Sequence, residues 1–192
     1  MASINQNFTD ACFAAKGSVL VVALHDRVRG KIGFYDLARP DRVLQRVPGG
    51  FFDTRLAVSL DGGLVSATSN DGEILLLDPA LRKGIDSLRG RLIVAFRSAF
   101  SPDGRRLIST DRSQEAVKLW DVSTRQELLT LASTDPSLSG VPRWNADGNV
   151  ILAGPPWQAW SAPSWEEIAA AEAKDPPLSD FGGQGKTESK KP

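Results

Sequence analysis

The chain has 192 residues, of which 41% are hydrophobic and 24% are charged, a composition typical of a globular protein. Lysine plus arginine equals aspartate plus glutamate at 23 each, so no net field favours nucleic acid or an acidic membrane surface. The one cysteine, Cys12, excludes an internal disulfide and a cysteine-rich metal site. No stretch approaches the ~18 apolar residues of a membrane span, and no secretory leader is evident at the N-terminus, so we expect a cytoplasmic protein.

Four rows of similar sequence follow one another from residue 11 to residue 161. Each row has an apolar run, a glycine turn, a second apolar run, a loop and a third run. The turn glycines are 45, 42 and 44 residues apart, and the ends of the third runs are 42, 43 and 40 apart. Two landmarks with one period predict a repeat architecture. The landmarks are Gly17, Gly62, Gly104 and Gly148 for the turns, and Asp36, Asp78, Asp121 and Ser161 for the ends.

The runs of each row have the composition of β-strands. VLVVAL (19–24), GLVSA (63–67) and NVILA (149–153) are short, apolar and bounded by turn residues, which predicts buried central strands. A rougher fourth run closes the first three rows at 42–47, 85–89 and 126–131, as expected of an outer strand with one solvated face. The first three rows therefore predict four-stranded antiparallel meanders, and the fourth row lacks its outer strand.

The third row resembles the repeat of the WD-repeat β-propeller family. SPDG (101–104) followed by LWDVSTRQELLTL (119–131) matches the end of such a repeat, whereas FYD (34–36) and LLD (76–78) replace the WD of the family in earlier rows. The resemblance implies an all-β segment of about four propeller blades within 1–163, at about 10–47, 55–89, 93–132 and 141–161. The Gly-His dipeptide of the family is absent, and the only histidine, His25, lies elsewhere. We therefore expect packing, more than a buried polar network, to hold the blades together.

Large side chains recur at two equivalent positions in the rows, and each is predicted to fill the wedge between neighbouring sheets. Burial of one aromatic side chain is worth roughly 2–3 kcal/mol. The first-strand set is Phe13, Val58, Phe100 and Trp144, and the third-strand set is Tyr35, Leu77, Trp120 and Trp160.

The C-terminal part of the sequence departs from the repeat. Ser164 and Glu167 form a capping box that predicts a short helix at 164–174, and the Pro-, Gly-, Ser- and Lys-rich residues 175–192 predict a disordered tail. GGQGKT (182–187) is not a phosphate-binding loop, because Asp180 replaces the first glycine of that motif and no strand precedes it.

Four repeats are fewer than the seven or eight blades usual in the family. The chain is then the C-terminal part of a longer propeller, a half-ring that pairs with another copy or another protein, or a distorted four-bladed ring. The ending also resembles that of large bacterial WD-repeat proteins, some of which carry a serine/threonine kinase domain. A regulatory part of such a kinase is therefore an alternative, although the chain itself has no kinase motif.

No constellation of catalytic residues is recognisable, so we expect a non-enzymatic protein with no cofactor and no metal. His25 and Asp26 are read as solvated loop residues, since one histidine cannot build a metal cluster and no GxSxG motif supplies a nucleophile. A propeller hydrolase of the lactonase type, with a cation in the central channel, is the alternative from another class. A degraded gene product without function is a further reading.

The expected function is protein–protein interaction through the loops on one face of the blades. GGFFDTR (49–55) offers an aromatic anchor, although both phenylalanines could instead tuck between blades. The expected partner is a protein and not nucleic acid or a membrane. A second copy of the chain, which would complete the propeller, is one such protein. The predicted partner-binding residues, placed by analogy with the family, are Arg27, Phe51, Phe52, Asn70, Asp71, Asp111 and Arg112.

Overall fold

The computed structural model describes residues 8–24, 30–48, 54–68, 72–88, 95–111, 117–133 and 140–162. These residues form strands β1 to β15 and one turn of 3-10 helix, Ala15–Gly17. All the strands belong to one compact unit, Met1–Ser161. Among the described residues no helix is long and apolar enough to cross a membrane.

The strands are grouped in chain order into four antiparallel sheets, which we call blades 1 to 4. Within each blade, successive strands are hydrogen-bonded neighbours, so the predicted all-β fold of antiparallel meanders is confirmed. Blades 1 to 3 have four strands, and the described part of blade 4 has three. Blade 1 contains β1 (Phe8–Ala14), β2 (Val19–Leu24), β3 (Lys31–Asp36) and β4 (Arg39–Pro48). Blade 2 contains β5 (Arg55–Val58), β6 (Val65–Thr68), β7 (Ile74–Asp78) and β8 (Lys83–Leu88). Blade 3 contains β9 (Ala95–Phe100), β10 (Arg106–Asp111), β11 (Val117–Asp121) and β12 (Glu127–Leu131). Blade 4 contains β13 (Arg143–Trp144), β14 (Val150–Ala153) and β15 (Gln158–Ser161).

The repeated polar residues of the sequence build the turns between strands. The four turn glycines have φ between 71° and 82°, a backbone conformation that residues with a side chain rarely adopt. In blade 3 the Ser101 hydroxyl donates to Asp103 Oδ1 at 2.6 Å and accepts from the N–H of Arg106 at 3.0 Å. Hydrogen bonds donated by the Ser101 hydroxyl and by the Arg105 N–H lower the pKa of the Asp103 carboxyl. The same Ser–Asp pair, Ser59 and Asp61, closes the turn of blade 2.

The first strands of the blades lie side by side in chain order. Strand β1 lies beside β5, β5 beside β9, and β9 beside β13. Backbone and side-chain hydrogen bonds cross these junctions, as where the Thr9 hydroxyl donates to the Thr54 carbonyl at 2.8 Å. This order is the stacking of successive blades about a common inner edge.

One row of side chains crosses the first three strands of every blade, and we call the face that carries it the leading face. In blade 3 the strand register aligns Phe100 with Leu107 and Leu107 with Trp120. This row packs against Ile74 and Leu76 of blade 2, so the leading face points to the preceding blade. The rows of blades 2 and 4 pack against blades 1 and 3 in the same way. They are Val58, Val65 and Leu77 in blade 2, and Trp144, Ile151 and Trp160 in blade 4.

Blade 1 departs from the prediction that both of its large residues fill a wedge between sheets. Phe13 is 64% exposed, so its predicted burial is wrong. Tyr35 is buried, but it packs with Leu20 and Val22 of its own blade rather than against blade 2. Phe34, one residue earlier and on the opposite face, fills the contact with blade 2. The physical reason is that the row Phe13, Leu20 and Tyr35 lies on the leading face, and no described blade precedes blade 1.

Buried polar contacts occur alongside the apolar packing of the blades. The Trp120 indole Nε1 donates to the Ser109 hydroxyl at 2.9 Å, and both residues are fully buried. Between blades 2 and 3 the hydroxyls of Ser66 and Ser98 are 2.9 Å apart. The loss of one partner of a buried polar pair costs about 1–3 kcal/mol. The Trp120–Ser109 pair therefore stabilises blade 3 itself, and the Ser66–Ser98 pair helps to fix how blades 2 and 3 align.

Several predictions fall outside the described residues. They are the helix at 164–174, the tail at 175–192, the GGQGKT segment and the loop residue His25. They stay predictions.

Candidate partner-binding groove

The predicted partner-binding face cannot be built from the described residues. Six of its seven residues, Arg27, Phe51, Phe52, Asn70, Asp71 and Arg112, lie outside them. The seventh, Asp111, is the last residue of β10. That face stays a prediction.

A groove of about 470 Å³ lies between blades 2 and 3. It opens at the end of the blades that carries two kinds of turn: those joining first to second strands and those joining third to fourth strands. In an antiparallel meander these turns lie at the end of the blade opposite the loops that join second and third strands. The groove is therefore at the end of the blades opposite the C-terminal ends of the second strands, where Asp111 lies. Its lining is Leu64, Leu76, Ile85, Gly104, Arg105, Asp121, Val122, Ser123 and Arg125.

The floor of the groove is apolar and partly open to solvent. Leu64, Leu76 and Val122 belong to the cluster that joins blades 2 and 3, and Leu76 is buried. Ile85, on the outer strand of blade 2, is 42% exposed. Apolar surface that remains exposed in a concave site is a common feature of binding grooves.

Two arginines from blade 3 line the groove above this floor. Arg125 Nη1 is 3.1 Å from Asp86 Oδ2 of blade 2, and both side chains are about half exposed. An exposed pair of this kind contributes roughly 0–1 kcal/mol, so a partner can displace it cheaply. Arg105 is exposed, and within the described part of the chain its guanidinium makes no ion pair. Of the two arginines, Arg125 is in an ion pair with Asp86, and Arg105 makes none with the described residues.

The turn 121–125 holds these groups in place. Asp121 Oδ1 accepts hydrogen bonds from the N–H and hydroxyl of Ser123 and from the N–H of Thr124. These hydrogen bonds lower the pKa of the Asp121 carboxyl to about 2, and the bond from the Ser123 hydroxyl has the largest effect. The carboxylate is therefore charged at neutral pH. The Val122 N–H donates to the Arg105 carbonyl at 3.0 Å and ties the two arginine-bearing turns together. Asp121, the aspartate of the WD motif, therefore stabilises the turn between β11 and β12.

This groove was not predicted from the sequence, although several of its residues lie in the repeat motifs. DGRR and DVSTR, at 103–106 and 121–125, were used as marks of the repeat. Arg105 and Arg125 were the available signal, but the floor contributed by Leu64 and Ile85 depends on the stacking of two blades. That stacking is not readable from either row alone.

No described group of three or more His, Cys, Asp or Glu side chains is arranged to hold a metal ion. Burial, with a smaller contribution from Asp10, raises the pKa of the Cys12 thiol to about 12. Cys12 is therefore an unreactive thiol beside the contact between blades 1 and 2.

No family model matches the chain, but known proteins similar in sequence were found. An uncharacterised WD repeat-containing protein of Synechocystis is 30% identical over 141 residues, 72% of this chain and 38% of that protein. The small ribosomal subunit protein RACK1z of Oryza sativa subsp. japonica is 30% identical over 112 residues, 55% of this chain and 32% of that protein. The chain spans about a third of the length of these curated relatives.

Solved structures share the fold at low identity. The WD40 repeats of RRP9 and the U3-55K protein each superpose with a TM-score of 0.67 at 18% identity, over 84% of this chain and 50% and 51% of theirs. Hydrazine synthase of Kuenenia stuttgartiensis superposes with a TM-score of 0.65 at 16% identity, over 79% of this chain and 43% of that one.

The stacked antiparallel sheets and their leading faces define a class of protein, the β-propellers. Within that class the repeat period, the SPDG and WD motifs and the WD-repeat relatives agree. The chain is a WD-repeat protein.

Proposed function

We propose that this chain is a non-catalytic WD-repeat scaffold that binds a protein partner in the groove between blades 2 and 3. The observation that carries the proposal is the exposed Arg105 guanidinium, which makes no ion pair with the described residues, beside an apolar floor that is still partly exposed at Ile85. A site with an apolar base and a few placed polar groups is suited to a peptide segment of a protein.

The lining residues suggest the chemistry of the partner. The floor has room for one aliphatic or aromatic side chain of a partner. The guanidinium groups of Arg105 and Arg125 can each donate two hydrogen bonds to a carboxylate. Asp121 also lines the groove, but its Oδ1 already accepts three hydrogen bonds. We therefore propose a segment with an apolar anchor next to aspartate or glutamate.

The loop face predicted from the sequence is the second candidate surface for a partner. It consists of Phe51, Phe52 and Arg112 with the other residues predicted from the sequence, and it stays a prediction. The cytoplasmic location and the place of the chain as the C-terminal part of a larger propeller remain parts of the proposal. No observation favours the lactonase-type hydrolase or the kinase-associated alternative.

Selection of a phage-displayed random peptide library on the full chain tests the proposal. Enriched peptides are expected to combine an acidic residue with a leucine or aromatic residue. Their binding, measured by fluorescence anisotropy, should weaken at least 10-fold in the Arg105→Glu/Arg125→Glu variant and less than 2-fold in Lys16→Glu, an exposed control in blade 1. Loss of binding in Phe52→Ala/Arg112→Ala, with none in the groove variant, would assign the partner to the loop face and refute the groove.

A further inference from the structure

The turn between β11 and β12 carries a hydroxyl that the turn itself does not require. Ser123 is exposed, and its hydroxyl donates to Asp121 Oδ1 at 2.6 Å. The same carboxylate oxygen also accepts hydrogen bonds from the N–H groups of Ser123 and Thr124, at 2.9 and 2.8 Å. Every residue except proline has a backbone N–H, so these two bonds do not depend on a serine at this position. The hydroxyl is therefore available for another role.

The equivalent turns of blades 1 and 2 close without a hydroxyl at this place. Each begins at the aspartate that ends the third strand, and Ala38 and Ala80 stand two residues after it. The N–H of Ala38 donates to Asp36 Oδ1 at 2.9 Å, and the N–H of Leu81 donates to Asp78 Oδ1 at 2.8 Å. Among blades 1 to 3, a serine at this place is therefore found only in the blade whose turn lines the groove.

The surroundings of Ser123 suit an anion attached to its hydroxyl. Ser123 lines the groove together with Arg105 and Arg125. Backbone hydrogen bonds hold the three residues in one region, since the Val122 N–H donates to the Arg105 carbonyl at 3.0 Å and the Arg125 N–H to the Asp121 carbonyl at 2.8 Å. Arginine guanidinium groups donate paired hydrogen bonds to phosphate oxygens. The two arginines therefore favour a phosphate at this position.

We propose that Ser123 is a phosphorylation site and that its phosphorylation blocks the groove, an inference that rests on the function proposed above. The donor of the phosphoryl group is a nucleoside triphosphate held by a protein kinase. A bond forms between Ser123 Oγ and the γ-phosphorus, and the bond from that phosphorus to the oxygen it shares with the β-phosphate breaks. The nucleoside diphosphate leaves, and the hydroxyl proton passes to a base of the kinase. The exposed turn gives the kinase access to the hydroxyl.

The modification changes the groove in two ways. Phosphoserine carries a charge of about −1.5 to −2 at pH 7, so it repels the Asp121 carboxylate and replaces the hydrogen bond that the Ser123 hydroxyl donates there. The phosphate is instead attracted to Arg105 and Arg125, and Arg125 is held by an exposed ion pair with Asp86 that is easily displaced. Because the phosphate is attached to the chain, it competes with the carboxylate of a partner at an effective concentration in about the millimolar range.

Phosphoserine introduced at position 123 of the full chain by amber suppression tests the block. Peptides selected on the unmodified chain should bind this form about 10-fold more weakly or worse in fluorescence anisotropy, because the phosphate occupies both arginines. Phosphoserine in place of Thr124, which does not line the groove, is the matched control and should weaken binding less than about 2-fold. Unchanged binding with phosphoserine at 123, or equal weakening at both positions, would overturn the proposal.

A measurement without a partner separates failure of this inference from failure of the proposed function. Phosphorus NMR titration gives the pKa of the phosphate, which is ordinarily about 6. This pKa should be lower by about 0.5 unit or more than in the phosphorylated Arg105→Gln/Arg125→Gln variant, because guanidinium groups favour the dianion. Equal pKa values would refute the block even when peptides bind in the groove. Peptides that bind equally well to Arg105→Glu/Arg125→Glu would refute the proposed function even when the pKa values differ.

Mass spectrometry tests whether the site is used. The full chain is incubated with ATP, Mg²⁺ and an extract of its native cells, and the tryptic peptide 119–125 is fragmented. We expect phosphate on Ser123 and none on this peptide in Ser123→Ala. Phosphate on Thr124 alone, or an unmodified peptide from the wild-type chain, would overturn the assignment of the site.

Discussion

Replacement of Trp120 by phenylalanine probes how blade 3 is held on blade 2. Trp120 is fully buried on the leading face, packs with Phe100 and Leu107, and donates its Nε1 hydrogen to Ser109 at 2.9 Å. Trp120→Phe removes part of the ring system and the donor together. Cavity formation and a lost buried hydrogen bond together predict a loss of about 2–4 kcal/mol in the free energy of unfolding.

The partner variant separates the hydrogen bond from the packing. Ser109→Ala leaves the buried Nε1 without an acceptor and is expected to cost about 1–3 kcal/mol. The double variant should lose about 1 kcal/mol less than the sum of the two single changes, since contacting residues are coupled. Trp157→Phe is the matched control, because Trp157 is 57% exposed, and it should change the free energy of unfolding by less than about 0.5 kcal/mol.

Urea denaturation of the full-length variants, followed by circular dichroism, gives these free energies by linear extrapolation. If Trp120→Phe proved no more damaging than Trp157→Phe, the packing of the leading face on blade 2 would be refuted. Strict additivity of the Trp120 and Ser109 changes would refute the hydrogen bond.

Two further changes test the turns and the close contact before blade 4. The pKa of Asp121, lowered to about 2 from its usual 3.8, makes a contribution to stability that is complete above about pH 4 and is lost as the pH falls toward 2. Melting temperatures across this range should therefore fall less steeply in Asp121→Asn than in the wild type, with Asp147→Asn in the turn of blade 4 as the control. Gly140→Ala should lower the melting temperature by several degrees, because its Cβ would lie 1.2 Å from the Gly154 carbonyl oxygen. Gly84→Ala, where the nearest atom is 3.5 Å away, should change it little, and equal effects of the two glycine changes would contradict this contact.

The repeat was enough to predict the sheets and their turns. Strands β3, β7 and β11 end at Asp36, Asp78 and Asp121, the residues that marked the period in the sequence. These landmarks were readable because each is used within one row. A carboxylate that caps its own turn needs no information from another blade.

The direction in which each side chain packs was harder to predict. Tyr35 and Trp120 are equivalent in sequence, but Tyr35 packs within blade 1 while Trp120 packs against blade 2. The difference depends on which of the described blades lies against each face, and no local pattern encodes this. The groove was missed for the same reason, since Ile85 and Arg105 meet only when two rows stack.

Cross-linking of blade 2 to blade 3 tests the stacking of the blades most directly. The Ser66 and Ser98 hydroxyls, on β6 and β9, are 2.9 Å apart, so cysteines at these two positions would bring their sulfur atoms close together. In a Cys12→Ala background, Ser66→Cys/Ser98→Cys should oxidise to an internal disulfide, detected by mass spectrometry as the loss of two hydrogens. Ser66→Cys/Ser123→Cys, with the second residue in an exposed turn of blade 3, should stay reduced. Absence of the first disulfide in folded protein, or equal oxidation of both pairs, would contradict the stacking from which the groove and the leading faces were deduced.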